Sequence, residues 1–150
     1  MEIYTTGFSG WIAEDFFKQL KNSNIEILID IRRHPNSQLA GFTRAAHFKY
    51  FLTKLVGSEY IHMLEFAPNP NTLKSYRNKE IDWENFSNTY IRNLKNEDLA
   101  HLLDLSIKKK VILLCSETQP NYCHRSLVVQ ELIKIKKDLQ IEVKNLTPSV

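Results

Sequence analysis

The chain has 150 residues, 43% hydrophobic and 25% charged, with a formal net charge of +3 and a pI near 8.8. That length can bury a core without staples, and two cysteines are too few for a disulfide framework. The mild basicity admits an anionic partner but lacks the asymmetry of a domain that coats DNA, and no apolar run reaches the length of a membrane span.

The start, MEIYTTGFSG, lacks the charged and apolar regions of a signal peptide. The expectation is therefore a single domain over 1–150, in the cytoplasm, with reduced thiols and no membrane contact. Glu2 to Thr5 alternates and is rich in strand formers, and Thr6-Gly7-Phe8-Ser9-Gly10 reads as a turn. Ile12 to Lys21 carries Ile12, Phe16, Phe17 and Leu20 in a helical stripe. Ile25 to Ile31 is β-branched and nearly continuous, as in a strand buried on both faces, and Arg32-Arg33-His34-Pro35-Asn36-Ser37 ends it with turn chemistry. A second helix is expected over Thr43 to Leu55 with Thr43 as N-cap, then a weaker strand at Tyr60–Leu64. One or two short helices follow between Leu73 and Leu94, with Trp83, Phe86, Tyr90 and Ile91 on one side; the helical spacing of these aromatics reads as core rather than as a base-stacking platform. Glu97 to Ile107 is a further helix, with Asn96 as its cap. Lys110 to Cys115 is the clearest central strand, Arg125 to Lys137 a helix, and Ile141 to Val143 a last short strand.

Strands alternating with helices argue an α/β sandwich of three layers around a mostly parallel sheet of about five strands. In such a sheet ligands bind beyond the carboxyl ends of the strands. Thr6, Gly7, Ser9, Asp30, Arg32, Arg33, Glu65, Cys115 and Glu117 all fall there, and they are expected to converge on one edge. Lys108-Lys109-Lys110 falls at the opposite edge and reads as solvated charge. His34, His47 and His101 read as surface residues, and His62 as a core histidine bonded to backbone.

The stretch Cys115 to Ser126, CSETQPNYCHRS, joins the central strand to the next helix. Cys115, Cys123 and His124 lack the paired spacing of a structural zinc site, so no metal is assigned and no cofactor motif is present. A thiol phosphatase places its nucleophile at the strand end with arginine six positions later; position 121 here is Asn121. Cys115 and Cys123 stay as thiol candidates, Cys123 because a helix N-terminus and Arg125 both favour a thiolate. An anion reading uses the same helix N-terminus, Arg125 and Ser126, joined by Arg32, Arg33 and the turn at Thr6, Gly7 and Ser9. An acid–base reading pairs Asp30 with Glu117, with His124 as a third candidate, an arrangement suited to glycosidic or N-glycosidic cleavage. In a structural alternative, Arg125 ion-pairs with Asp30 or Glu117.

Ile27-Leu28-Ile29-Asp30-Ile31-Arg32 with Pro35, Tyr60-Ile61-His62 with Leu64, and Leu113-Leu114-Cys115-Ser116-Glu117 with Cys123-His124-Arg125 resemble the family known as domain of unknown function 488. Thr6-Gly7-Phe8-Ser9 resembles its usual opening, with Phe8 in place of His or Tyr. The resemblance implies a compact Rossmann-like α/β domain, a bacterial or archaeal setting and no established activity. Where the family commonly carries Leu-Gly-Gly after the third strand, this chain has Glu65-Phe66-Ala67-Pro68, which bears on the pocket mouth. The leading expectation is a protein that binds a phosphorylated small molecule or nucleic-acid component at the strand carboxyl edge, with a hydrolase or N-glycosidase activity on Asp30 and Glu117 as its enzymatic form. The rivals are a non-catalytic binding module whose Asp, Glu and Arg cluster is an ionic latch, and a thiol- or metal-dependent enzyme using Cys115, Cys123 and His124.

Overall fold

The computed structural model describes residues 1–117 and 120–148, the side chains of residues 38–40 excepted. Among these, five strands form one sheet: β1 (Glu2–Gly7), β2 (Ile27–Asp30), β3 (Glu59–His62), β4 (Val111–Cys115) and β5 (Glu142–Leu146). The described helices are α1 (Ala13–Asn22), α2 (Ala45–Phe51), α3 (Pro70–Arg77), α4 (Trp83–Asn93), α5 (Asn96–Lys108) and α6 (His124–Ile135). Strand order is β3-β2-β4-β1-β5, and every pairing is parallel. The fold is the expected three-layer, Rossmann-like α/β arrangement, with a sheet that is wholly rather than mostly parallel.

The central strand explains its own composition. Val111-Ile112-Leu113-Leu114-Cys115 is buried at every position because β4 lies between β1 and β2 and is covered on both faces. Successive side chains alternate between two cores. Ile112 and Leu114 join Tyr4, Leu28, Phe16, Phe17, Leu20, Phe48 and Leu52 beneath α1 and α2. Val111, Leu113 and Cys115 join Ile3, Ile27, Ile29, Phe86, Leu102 and Val128 beneath the helices of the other face. The layer split follows from the strand order. The chain moves outward from β1 to β2 to β3, then returns to insert β4, and right-handed crossovers put those two directions on opposite faces.

Neither of the two expected N-caps holds that position, and the last helix runs over His124–Ile135 rather than to Lys137. Thr43 is not the cap of α2; Arg44 holds that position, and Thr43 is buried as an acceptor for Arg32. Asn96 is the first residue of α5, behind Lys95. Beyond Phe51 the helix widens into a π-helical turn over Leu52–Val56, which Gly57 ends at φ 82° with its N–H on the Leu52 carbonyl, 2.8 Å. The lysine run lies at the amino end of β4, where Lys108, Lys109 and Lys110 pair with Asp104, Glu59 and Glu2.

Gly7 ends β1 opposite Cys115. A methyl group on its Cα would overlap the backbone carbonyl of Glu117 outright and crowd Arg125 Nη1 at 2.8 Å. Gly7→Ala should therefore cost about 1–3 kcal/mol or more by overpacking, read as a lowered melting temperature. Serine or alanine at Gly57 should cost less, since nothing lies within 4 Å of its Cβ position and only the positive φ resists.

Candidate functional site

Two buried arginines organise the carboxyl edge of the sheet. Arg32, 5% exposed, folds back onto Asp30 from two residues away. Its backbone N–H and Nε donate to Asp30 Oδ1 at 3.0 and 2.9 Å, and Nη2 donates to Oδ2 at 2.7 Å. Tyr60 on β3 donates its hydroxyl to the same Oδ2 at 2.6 Å. Burial and this bond to Asp30 push the Tyr60 phenol well above its ordinary range. The other side of the Arg32 guanidinium donates to Thr43, to Oγ1 at 3.0 Å and to the carbonyl at 2.7 Å, and the Phe8 ring lies 5.4 Å from Cζ. These four donors occupy the acceptor sites of the Asp30 carboxylate.

Arg125 is held differently. It lies in the first turn of α6 with no exposed surface, and its Nη1 donates to Cys115 Sγ at 2.9 Å and to the Glu117 carbonyl oxygen. Cys115 Sγ in turn lies 2.9 Å from Cys123 Sγ. Burial opposes ionisation of Cys115, but the Cys123 thiol and the Arg125 guanidinium outweigh it and hold Cys115 below the usual thiol range. The bond to Cys115, burial and the adjacent negative charge push Cys123 well up. Both cysteines are free thiols.

Above these two clusters lies a cleft of about 600 Å³. Phe8, Arg32, Arg33 and His34 line it from the ends of β1 and β2, and Ser116, Glu117, Tyr122, Cys123 and His124 from the segment after β4. Helices α3 and α4 close its outer wall with Tyr76, Arg77, Trp83 and Phe86. Tyr122 is 66% exposed, sits at φ 57° and meets Trp83 edge to face at 5.5 Å. A bulky residue at positive φ is a backbone outlier. Arg77 Nη2 lies 3.8 Å from Glu117 Oε1, an exposed pair of little energetic weight.

His124 is half-buried on the cleft floor, its Nε2 3.1 Å from the Ile31 carbonyl, with the Tyr90 ring edge-to-face at 5.7 Å. Burial chiefly, helped by the charges of Arg125 and Arg77 and opposed by the Ile31 bond, lowers it from 6.5 to about 4. At neutral pH Nε2 donates to Ile31 and Nδ1 carries the lone pair, 3.9 Å from Cys123 Sγ.

The predicted residues thus separate into two shells. Arg32, Arg33, Glu117, Cys123 and His124 line the cleft. Asp30, Thr6, Gly7, Ser9, Cys115, Arg125 and Ser126 lie behind it, bound into the fold. Thr6 Oγ1 donates to Leu146 O and accepts from Trp11; Ser9 Oγ donates to Ser116 O at 2.7 Å, and Ser126 Oγ to Cys123 O at 2.7 Å. The expected division of acid–base work between Asp30 and Glu117 does not match this geometry. Asp30 is sealed with Arg32 and Tyr60, whereas the Glu117 carboxylate is exposed beside Arg77. Nor does Arg125 pair with either carboxylate in the ion pairs described: Asp30 takes Arg32, Glu117 takes Arg77 through its carboxylate, and Arg125 holds the Glu117 backbone carbonyl and the Cys115 sulfur. Glu65 is exposed, and His62 is bonded to backbone as expected, to Arg32 O at 2.6 Å, but on an exposed edge. His34 is exposed and lines the cleft mouth.

Sequence reasoning passed over Phe8, Tyr76, Arg77, Trp83 and Tyr122 as cleft residues. Phe86 and Tyr90 are core, as expected, but Trp83 packs on that core with one side only. Positions 118 and 119 of the stretch from Cys115 to Ser126 lie outside the described residues. Among the described residues no group of three His, Cys, Asp or Glu side chains gathers to hold a metal, and no helix is long and apolar enough to cross a membrane.

A wholly parallel sheet between helical layers, with a cleft at the carboxyl strand edge, defines a Rossmann-like α/β protein. Within that class the chain belongs to the family described as Domain of unknown function DUF488, whose model matches residues 13–132. The match spans the Asp30–Arg32 and Cys115–Arg125 segments but begins after the turn at Thr6–Ser9. No curated protein and no solved structure matches the chain.

Two outcomes follow from the geometry. Asp30→Ala leaves Arg32 buried without its carboxylate and should cost about 3–5 kcal/mol in chemical denaturation. His124 is neutral in the fold where the unfolded chain is protonated, so the unfolded state binds more protons between pH 6.5 and about 4. Its share of stability is complete above pH 6.5 and should fall by roughly 3 kcal/mol as the pH drops to 4. His124→Gln should flatten that part of the stability–pH curve.

Proposed function

We propose that the cleft binds a planar aromatic ligand bearing an anionic group, of the nucleotide or nucleic-acid-component type. The observation that carries this reading is that aromatic rings and cations line one cleft: Tyr76 and Trp83 from α3 and α4, Tyr122 from the segment after β4, and Arg33 and Arg77 beside them. Stacking a base on such a wall is worth about 1–3 kcal/mol, and guanidinium groups match phosphate as forked donors. The weak Arg77–Glu117 pair yields Arg77 to an incoming phosphate at little cost.

This departs from the first expectation about which arginines grip the anion. Arg32 and Arg125 are committed to Asp30, Thr43, Cys115 and Glu117 O, so the gripping role passes to Arg33 and Arg77. Any hydrolytic chemistry would rest on Glu117, the carboxylate that lines the cleft, as base toward water, with neutral His124 beside it.

Adenosine monophosphate should raise the melting temperature with concentration and quench tryptophan fluorescence, more than adenosine or inorganic phosphate at equal concentration. Tyr122→Asn removes the ring and keeps a residue at ease with positive φ. That variant and Arg77→Ala should each weaken binding about tenfold, ~1.4 kcal/mol, without lowering the melting temperature of the free protein. Absence of any shift with adenosine, guanosine, cytidine and uridine monophosphates would refute the reading.

A further inference from the structure

We propose that Cys115 and Cys123 form a peroxide-reactive dithiol that closes to an intramolecular disulfide beneath the cleft. The two sulfurs, 2.9 Å apart, come from opposite ends of the β4–α6 connection. Arg125 Nη1 donates to Cys115 Sγ, and Cys123 is the N-cap of α6, where the helix dipole favours negative charge. Gly7 lacks the Cβ that would displace the Glu117 carbonyl and crowd Arg125, so the end of β1 is shaped around this contact. Packing alone needs none of this: a buried cysteine serving as a small apolar residue has no use for a guanidinium.

The protonation pattern supports the geometry. Cys115 is held toward thiolate and Cys123 toward thiol, which supplies one nucleophile and one proton donor in contact. In the first step the Cys115 thiolate attacks hydrogen peroxide. An S–O bond forms, the O–O bond breaks, and the departing hydroxide takes the Cys123 proton to become water. In the second step the Cys123 thiolate attacks the Cys115 sulfenic sulfur. The S–S bond forms, the S–O bond breaks, and the departing hydroxide takes a solvent proton. Peroxide gains two electrons, and each sulfur loses one.

Access sets the oxidant class. Cys115 has no exposed surface and Cys123 2%, but Cys123 lines the cleft, so a molecule the size of hydrogen peroxide reaches the pair where a bulky disulfide does not. Closing the bond alters the sulfur that accepts from Arg125, which also holds the Glu117 carbonyl, and so oxidation reaches the cleft wall.

The test is intact mass and peptide mapping of the wild-type protein after hydrogen peroxide at neutral pH. The expected product has lost two hydrogen atoms and carries a Cys115–Cys123 crosslinked peptide, formed about tenfold faster than free glutathione oxidises. Glutathione disulfide should react more slowly than peroxide. Cys123→Ser should stop at a Cys115 sulfenic acid that dimedone captures, and Cys115→Ser should leave Cys123 unreactive. The proposal fails if both wild-type thiols outlast free glutathione, if they oxidise to sulfinic acid without a crosslink, or if glutathione disulfide reacts faster than peroxide. The wild-type measurement decides the matter even where a variant does not fold, and it is independent of any nucleotide result.

Discussion

A guanidinium with no exposed surface must be compensated inside the protein, because removing such a charge from water costs several kcal/mol. Arg125 finds its compensation in the Cys115 sulfur and the Glu117 carbonyl, and those two contacts set the shape of the strand edge. To bring the Glu117 carbonyl to Nη1, the chain leaving β4 folds back over the end of β1. That path fills the space where a side chain at position 7 would stand. It also ties the two loops together, with Phe8 N–H on Cys115 O at 3.0 Å and the Ser9 hydroxyl on Ser116 O.

Arg32, the other buried cation, is solved by a carboxylate instead. Asp30 takes its Nε and Nη2, Thr43 from the segment before α2 takes the other edge, and Tyr60 from β3 completes the cluster on Asp30. The two solutions share one effect. Many of the polar residues at the strand ends are spent on holding the edge together, and part of the cleft lining comes from farther out. Helices α3 and α4 overhang the sheet end and supply Tyr76, Arg77 and Trp83, while the strained turn at Tyr122 brings a ring in from the other side.

That division marks what could be read from the sequence. The strands were legible because each alternates or runs apolar, and their order along the chain fixed which polar residues would meet at one edge. Asp30, Arg32, Glu117, Cys123 and His124 all fall there. Their roles were not legible, because polarity at a strand end does not say whether a group faces a ligand or a neighbour. Thr43 illustrates the limit: the same hydroxyl can cap a helix or accept from a guanidinium, and only the path of the chain decides. The spacing of Trp83, Phe86 and Tyr90 reads as one buried stripe, and for Phe86 and Tyr90 it is. Trp83, in the first turn of α4, is only partly buried against that core and also lines the cleft. Arg77 carried no signal; it is one of two basic residues on a helix with no buried residue.

The strand order has a consequence for how the molecule assembles. β1 and β2 do not pair with each other; both pair with β4, which enters between them after more than half of the chain has been laid down. A chain that has folded only its first three strands has a gap at its centre. Such long-range closure is entropically slow. The same insertion brings Cys115 to Gly7 and the segment after β4 to the Arg32 cluster. The insertion of β4 is therefore also the step that creates the cleft, and a ligand held there favours the fully inserted state over partly assembled ones that lack β4.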